Sequence, residues 1–415
     1  MNQAVTSDAS ISHLLSRRAR DLPGPRSGDP RDSAKLISFF AGFPDPGSLP
    51  SEEIIAATTT VLQREGEWAL QYGNSRGYPG LADAILTKLQ RDQGISASRD
   101  QILITAGASQ ALGLVLDAVI DWGDTVITEV PTWNGAIRAF SNVGANALSI
   151  PVDDEGTDTD ALEARLSELR DAGITPKLIY VISNFQNPMG VSTTRARRER
   201  IVELAHEYGT LILEDDAYAD LRYDGEHIPS LFTLDDRGTT LTLGTLSKTL
   251  GAGMRLGWVL GNADLIGKLA VLKVDGGTNV FSSHVAAEWL PTHLESHVDQ
   301  LKTIYNRRRD LMLTSLERHM PEGVTWTRPE GGFFIWVTLP ESVDTTRMLP
   351  QAKERGVEYL PGRTCYVDDH GRNQLRLSYS FAHDDQIDDG IRIIAEIVRG
   401  EIQEGRSPAA QTPAI

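Results

Sequence analysis

A single lysine, Lys248, sits where an apolar, β-branched run meets a glycine-rich turn, in Thr239-Thr-Leu-Thr-Leu-Gly-Thr-Leu-Ser-Lys-Thr-Leu-Gly-Ala-Gly-Met-Arg-Leu-Gly257. An amine at the mouth of a buried strand loses charge by desolvation, and a neutral amine can form a Schiff base with an aldehyde. Arg255 follows seven residues later, and its planar, permanently charged fork suits a phosphate. The pair points to an aldehyde cofactor that carries a phosphate, pyridoxal phosphate (PLP). Taken alone, the stretch reads equally well as a surface lysine in a glycine-rich loop, so other residues must decide.

Three further stretches bear on the choice. Thr105-Ala-Gly-Ala-Ser-Gln-Ala-Leu112 reads as a strand running into a helix N-terminus, where free N–H groups and the helix dipole favour an anion. Asn184-Phe-Gln-Asn-Pro-Met-Gly190 ends another strand, and Asn187, held extended before Pro188, could donate to a phenolate oxygen. Glu214-Asp-Asp-Ala-Tyr218 puts carboxylates at a strand end. Each has an ordinary alternative as a turn or a cap.

The elements that would position these residues follow from residue 101 onward. Apolar runs at 101–105, 125–130, 147–152, 177–183, 210–215, 239–247 and 256–261 read as strands. Amphipathic helices are predicted between most of them, at 109–120, 134–142, 160–172 and 194–208. Such alternation indicates a mostly parallel sheet covered on both faces. Ligands bind beyond the carboxyl ends of its strands, which brings Thr105, Asp215 and Lys248 to one edge. Earlier in the chain, a short helix is predicted over 11–20 and loop through Pro23–Pro30. Ser51 is expected to cap a helix reaching about Arg64, and a second helix spans 81–93. Beyond Ser282 a long helical stretch, broken at Pro291, leads to about His319. Strands at 324–328, 331–339 and 375–380, with helices at 345–355 and 384–400, suggest a smaller α+β domain, and the polar tail 401–415 reads as disordered.

The 415-residue chain is long enough for a large core, and 40% hydrophobic with 23% charged residues is ordinary for a globular protein. Its net charge of −17, from 40 basic and 57 acidic residues, argues against nucleic acid or an anionic membrane as the main partner. A lone cysteine, Cys365, excludes an intrachain disulfide framework. With no signal-like N-terminus and no bilayer-length apolar run, the expected location is the cytoplasm.

In their order and spacing the four stretches resemble the fold-type I PLP enzymes, the class I/II aminotransferases, over roughly residues 36 to 400. The nearest branch is that of the 2-aminoadipate aminotransferases and the catalytic half of MocR-type regulators. The resemblance implies an α/β fold, the type I PLP-transferase fold. Its large domain carries a mostly parallel seven-stranded sheet between helices and is followed by a smaller α+β C-terminal domain. The implied division is an N-terminal arm (1–35), a segment contributing to the small domain and dimer contacts (36–75), the large PLP-binding domain (76–290), the small domain (291–400) and a tail (401–415).

The resemblance also implies roles. Lys248 forms the Schiff base and shuttles the proton, and Asp215, three before Tyr218, pairs with the pyridine nitrogen, with Asp216 as the alternative. Asn187 and Tyr218 bond the phenolate oxygen. Ala108, Ser109, Thr245, Ser247 and Arg255 surround the phosphate, and Trp133 stacks on the ring. Arg376 clamps the substrate α-carboxylate, with backbone from Gly42. Tyr72, and Thr278 with Asn279, reach the neighbouring subunit's site, which implies a homodimer. No metal is expected. The sequence departs from the family pattern at Trp133 (usually Tyr), Asn74 (Pro), Ser183 (Pro), Met189 (Thr) and Cys365 (Phe). Pro23-Gly-Pro-Arg-Ser-Gly28 also stands where a Ser-x-Ile-Arg-Glu-like helix usually covers the substrate pocket.

The implied function is a PLP-dependent aminotransferase, moving an α-amino group between an L-amino acid and a 2-oxo acid through aldimine, quinonoid and pyridoxamine phosphate. The altered lid keeps a second possibility open, in which the same cofactor states lead to elimination, replacement, cyclisation or oxidation. A third, an effector-sensing regulator, would need a DNA-reading domain, and only about 35 residues precede the resemblance.

Overall fold

The computed structural model describes residues 11–20 and 35–405. The strands are β1 (Ile37–Ser38), β2 (Ile102–Thr105), β3 (Thr125–Val130), β4 (Asn146–Asp153), β5 (Gly156–Thr157), β6 (Leu178–Val181), β7 (Leu211–Asp215), β8 (Thr240–Thr245), β9 (Gly257–Leu260), β10 (Thr325–Trp326), β11 (Phe334–Thr338), β12 (Val357–Glu358), β13 (Leu360–Pro361) and β14 (Gln374–Ser378).

The large sheet runs β2-β9-β8-β7-β6-β3-β4-β5. β8, β7, β6, β3 and β4 pair in parallel, whereas β9 lies antiparallel between β8 and β2. All seven predicted strands are present. The eighth, β5, is a two-residue hairpin strand on β4, too short to leave a periodic trace in the sequence. β2, β6 and β8 are buried at every position, which accounts for their continuous apolar or β-branched character. Alternate residues feed two cores: Leu178, Tyr180, Leu213 and Leu243 pack on one face, and Ile179, Val181, Ile212 and Ile127 on the other.

The small domain is the antiparallel sheet β10-β11-β14-β13, flanked by helices Thr345–Glu354 and Asp384–Gly405. β1 pairs in parallel with β12, tying the N-terminal segment to this domain. The two domains share the helix Val280–His319, which continues through Pro291 rather than breaking there. Proline removes one intrahelical hydrogen bond. Here Trp289, Leu290 and Leu294 are buried in a shared core on both sides of it, so tertiary packing holds the helix together. Core membership changes from the large to the small domain between Val298 and Leu301, inside this one helix.

Other local expectations shift. The helix expected over 11–20 is two short pieces, a 3₁₀ turn at Ile11–Leu14 and a helical turn at Arg17–Arg20. Ser51 is the first helical residue and Pro50 the cap, and that helix runs to Ala69 past a kink at Glu65. The last helix continues to Gly405, beyond the predicted start of the tail. The predicted loop at 23–30, the altered lid with it, and tail residues 406–415 lie outside the described residues.

A candidate active site at the carboxyl ends of the strands

Beyond the ends of β7 and β8 lies a cavity of about 310 Å³ between the large and small domains. It is lined by Gly42, Ala108, Ser109, Trp133, Asn187, Asp215, Tyr218, Thr245, Ser247, Lys248, Arg255 and Arg376. The tertiary structure thus gathers twelve of the fourteen predicted site residues, drawn from positions 42 to 376.

Lys248 enters from a π-helical turn, Ser247–Gly251, that follows β8. Its Nζ donates to the Gly42 carbonyl at 2.9 Å. Burial, then the charges of Arg376 and Arg255, lower its pKa to about 8, against the opposing attraction of Asp215. Arg255 has left-handed backbone (φ 51°), a conformation disfavoured for a side chain with a Cβ. The Asn279 amide stabilises it by donating to the Arg255 carbonyl at 2.6 Å. The guanidinium then reaches over the β2–helix turn, donating to the Ala106 carbonyl at 2.8 Å. Gly107 caps the helix Ala108–Val119 with φ +84°, and a Cβ there would meet the Arg255 guanidinium at 3.0 Å. Free helix N–H groups, a guanidinium and the hydroxyls of Thr245 and Ser247 therefore line one end of the cavity, a set suited to a phosphate.

Asp215 ends β7 and lies buried in the cavity wall. Its Oδ2 accepts from the Tyr180 hydroxyl at 2.8 Å, while Oδ1 is buried with no hydrogen-bond partner among the described residues. Burial raises its pKa to about 6, opposed by the Tyr180 bond and by Lys248. Asp216 accepts from Asn184 at 2.7 Å and does not line the cavity. Asn187 precedes a cis proline, and its Oδ1 accepts from Arg376 Nη1 at 2.8 Å, leaving Nδ2 as a donor. Arg376, on β14, also donates to the Phe40 carbonyl at 2.7 Å and stacks 4.1 Å from the Phe334 ring centre. Trp133 precedes the helix Asn134–Val143. A Cβ on Gly135 would fall 2.3 Å from its indole, so glycine is needed there for the ring to lie back on the helix.

Tyr72 and Thr278, expected to serve the neighbouring subunit's site, do not line this chain's own cavity. Tyr72 is 86% exposed and is absent from its lining. Thr278 is buried, and its hydroxyl bonds Lys273 and Asp275, each at 2.7 Å. Sequence reasoning missed Tyr180 and Phe334. Tyr180 carried no signal because a tyrosine in an apolar strand looks like core. A separate cleft of about 500 Å³ between β3–β4 and the small sheet has neither lysine nor arginine in its lining.

PLP needs an amine for its aldehyde, cations and N–H groups for its phosphate, and a carboxylate for its ring nitrogen. The desolvated Lys248, the Gly107–Arg255 cradle and the unpartnered Asp215 Oδ1 fit all three. The family model for aminotransferase class I and II matches residues 35–394. The chain belongs to this family. This aminotransferase is 38% identical over 376 residues to aromatic-amino-acid aminotransferase 1 of Thermococcus litoralis, covering 90% of each chain. It is 33% identical to the 2-aminoadipate transaminase of Thermus thermophilus, over 88% of this chain and 90% of that one. Its fold superposes with a TM-score of 0.90 on the Pyrococcus horikoshii kynurenine aminotransferase in complex with PMP, at 37% identity, covering 95% and 99% of the two chains. The aminotransferase is accordingly a PLP-dependent transferase of amino groups acting on amino and oxo acids. None of its described helices is long and apolar enough to cross a membrane.

Proposed function

We propose that this aminotransferase exchanges the α-amino group between an L-amino acid with an apolar or aromatic side chain and a 2-oxo acid, using the cavity residues in the following roles. The observation that carries the reading is a desolvated amine, Lys248, in one cavity with an unpartnered buried carboxylate oxygen on Asp215. PLP, when bound, supplies a ring that withdraws electrons from the substrate Cα. Asp215 would hold the ring nitrogen and favour its protonated form. Asn187 Nδ2 and the Tyr218 hydroxyl would donate to the cofactor's phenolate oxygen, and Trp133 would pack on its ring. Ala108, Ser109, Thr245, Ser247 and Arg255 hold the phosphate. Lys248 Nζ would be the group that anchors the cofactor aldehyde and would serve as the base that carries the substrate Cα proton.

Arg376 binds the α-carboxylate bidentately, exchanging its present contacts with Asn187 and Phe40, and the Gly42 N–H assists. Phe40, Phe43, Phe334 and Leu360 exclude water from the reacting carbon. The lysine and arginines in the cavity lining are Lys248, Arg255 and Arg376, each already assigned, so the described residues leave no cation for a second carboxylate on the substrate. This favours neutral side chains, in keeping with the relative named for aromatic amino acids.

The test is Arg376→Ala with phenylalanine as amino donor. KM is expected to rise about a hundredfold, as for loss of a charge-assisted bidentate pair, while the absorbance of bound cofactor stays as in the parent. An unchanged KM would show that the carboxylate is held elsewhere.

Trp68, Leu70 and Tyr72 are exposed, as are Val271 and Val274, and the two segments are joined by a bond from the Gly73 N–H to the Gly276 carbonyl at 2.9 Å. An apolar patch of this kind is suited to burial by a second copy, and we assign the enzyme as a homodimer with Tyr72 reaching toward the partner's site. Sedimentation is expected to give twice the chain mass of 45.4 kDa, and a monomer at micromolar concentration would reject the assignment. With its one cysteine buried and unpaired, the enzyme suits the cytoplasm, where cell fractionation should find it.

A further inference from the structure

Tyr180 is fully buried on β6, packed edge-on against Phe140 with ring centres 5.5 Å apart. Its register partner on β7 is Leu213, so Asp215 is the diagonal neighbour two residues further on, on the same sheet face and within reach of a long aromatic side chain. The phenol meets Oδ2 at 2.8 Å and leaves Oδ1 the oxygen without a partner. The phenol's own pKa is held well above its ordinary value, first by burial and then by Asp215, so it stays a donor at any working pH. The other groups acting on Asp215 are Lys248 and the Ala217 backbone N–H, which favour its charge, and Glu214, which opposes it. Buried Glu129 is influenced by Asp215 in turn, and its pKa is raised to about 7, chiefly by burial.

A carboxylate without water is costly to keep charged. We propose that Tyr180 is a positioning residue for amino transfer: its hydroxyl ties down Asp215 Oδ2, so that Oδ1 stays ionised and turned to the cofactor, and the proton between Oδ1 and the ring nitrogen stays on nitrogen. The inference rests on the assignment of Asp215 to that nitrogen. Without the Tyr180 bond the carboxylate becomes the stronger base. The N–H bond then breaks as an O–H bond forms on Oδ1, with no net change in protons or electrons. A neutral ring withdraws electrons less, so the Cα proton is harder for Lys248 to remove.

The experiment reconstitutes the parent enzyme and Tyr180→Phe with PLP carrying ¹⁵N in the ring and records the nitrogen resonance beside steady-state kinetics. The parent signal is expected at the position of a protonated pyridine. In Tyr180→Phe it moves toward the neutral position, and kcat falls about tenfold to a hundredfold, the loss of one hydrogen bond to a charged group. KM for the amino acid stays within about twofold, since Arg376 is untouched. A neutral-type signal in the parent itself would overturn the Asp215 assignment and leave Tyr180 with nothing to position. An unmoved signal in Tyr180→Phe, beside a protonated parent, would overturn the role of Tyr180 alone. If that variant does not fold, 4-aminophenylalanine at position 180 keeps the ring's shape with a weaker donor. It must then show the same displacement in reduced size, and an unmoved signal there also overturns the proposal.

Discussion

Lys248→Ala is expected to lower turnover by at least about four orders of magnitude, because in the proposed roles one side chain would serve both as covalent anchor and as proton carrier. The variant should also lose the absorbance of a covalently held cofactor while keeping measurable affinity for it, since the Gly107–Arg255 cradle is untouched. Rate assays with phenylalanine and a 2-oxo acid, read beside the absorbance spectrum, check both outcomes. Retention of even a few per cent of parental turnover would remove Lys248 from the mechanism. The same amine sets a pH dependence in the parent. Its pKa lies near 8, and the neutral form is the reactive one, so covalent uptake of PLP by the apoenzyme should rise about tenfold from pH 7 to pH 9 and level off above.

Asp215→Asn is expected to lower kcat by about 10² to 10³, the range seen when one preorganised electrostatic partner of a reacting group is removed. The amide has nearly the shape of the carboxylate, but it cannot keep a proton on the ring nitrogen. Stability should move the other way. The folded-state pKa of Asp215 is raised to about 6, so between its unfolded value and pH 6 the native state holds the extra proton. Native stability therefore falls as pH rises through that window and remains lowered at neutral pH. On that account the apoenzyme carrying Asp215→Asn should be more stable than the parent at pH 7 by roughly 2 kcal/mol, with the gain fading below about pH 4. Urea denaturation of both apoenzymes at pH 7 and pH 4 measures this. A variant less stable at both values would contradict it. Activity and stability are opposed here because the site keeps a charge where burial disfavours one.

The strands of the large sheet were legible because burial on both faces demands unbroken apolar or β-branched runs, as in β6 and β8. β5 was not, since two residues carry no period. The continuity of the helix through Pro291 was equally hidden. It depends on the packing of Trp289, Leu290 and Leu294 against residues far away in the chain, which outweighs a local preference to break.

The residue types by themselves determined much of this protein: a lysine, a carboxylate and a helix start, each at or just beyond the end of a predicted strand, and an arginine seven residues after the lysine, which the structure places just before the antiparallel strand β9. Those are local signals, and a parallel sheet converts them into one site because its strands end at the same edge. Its spacing to Tyr218 put Asp215 ahead of Asp216 in the sequence, and the tertiary structure separates the two by their partners, Asn184 for Asp216 and Tyr180 for Asp215. Only the tertiary structure brought Arg376 to Asn187 across 189 positions and turned the Thr278 hydroxyl inward to Lys273. The reason is physical: which atoms are buried, and which hydrogen bonds they find there, is decided by neighbours that sequence proximity does not supply.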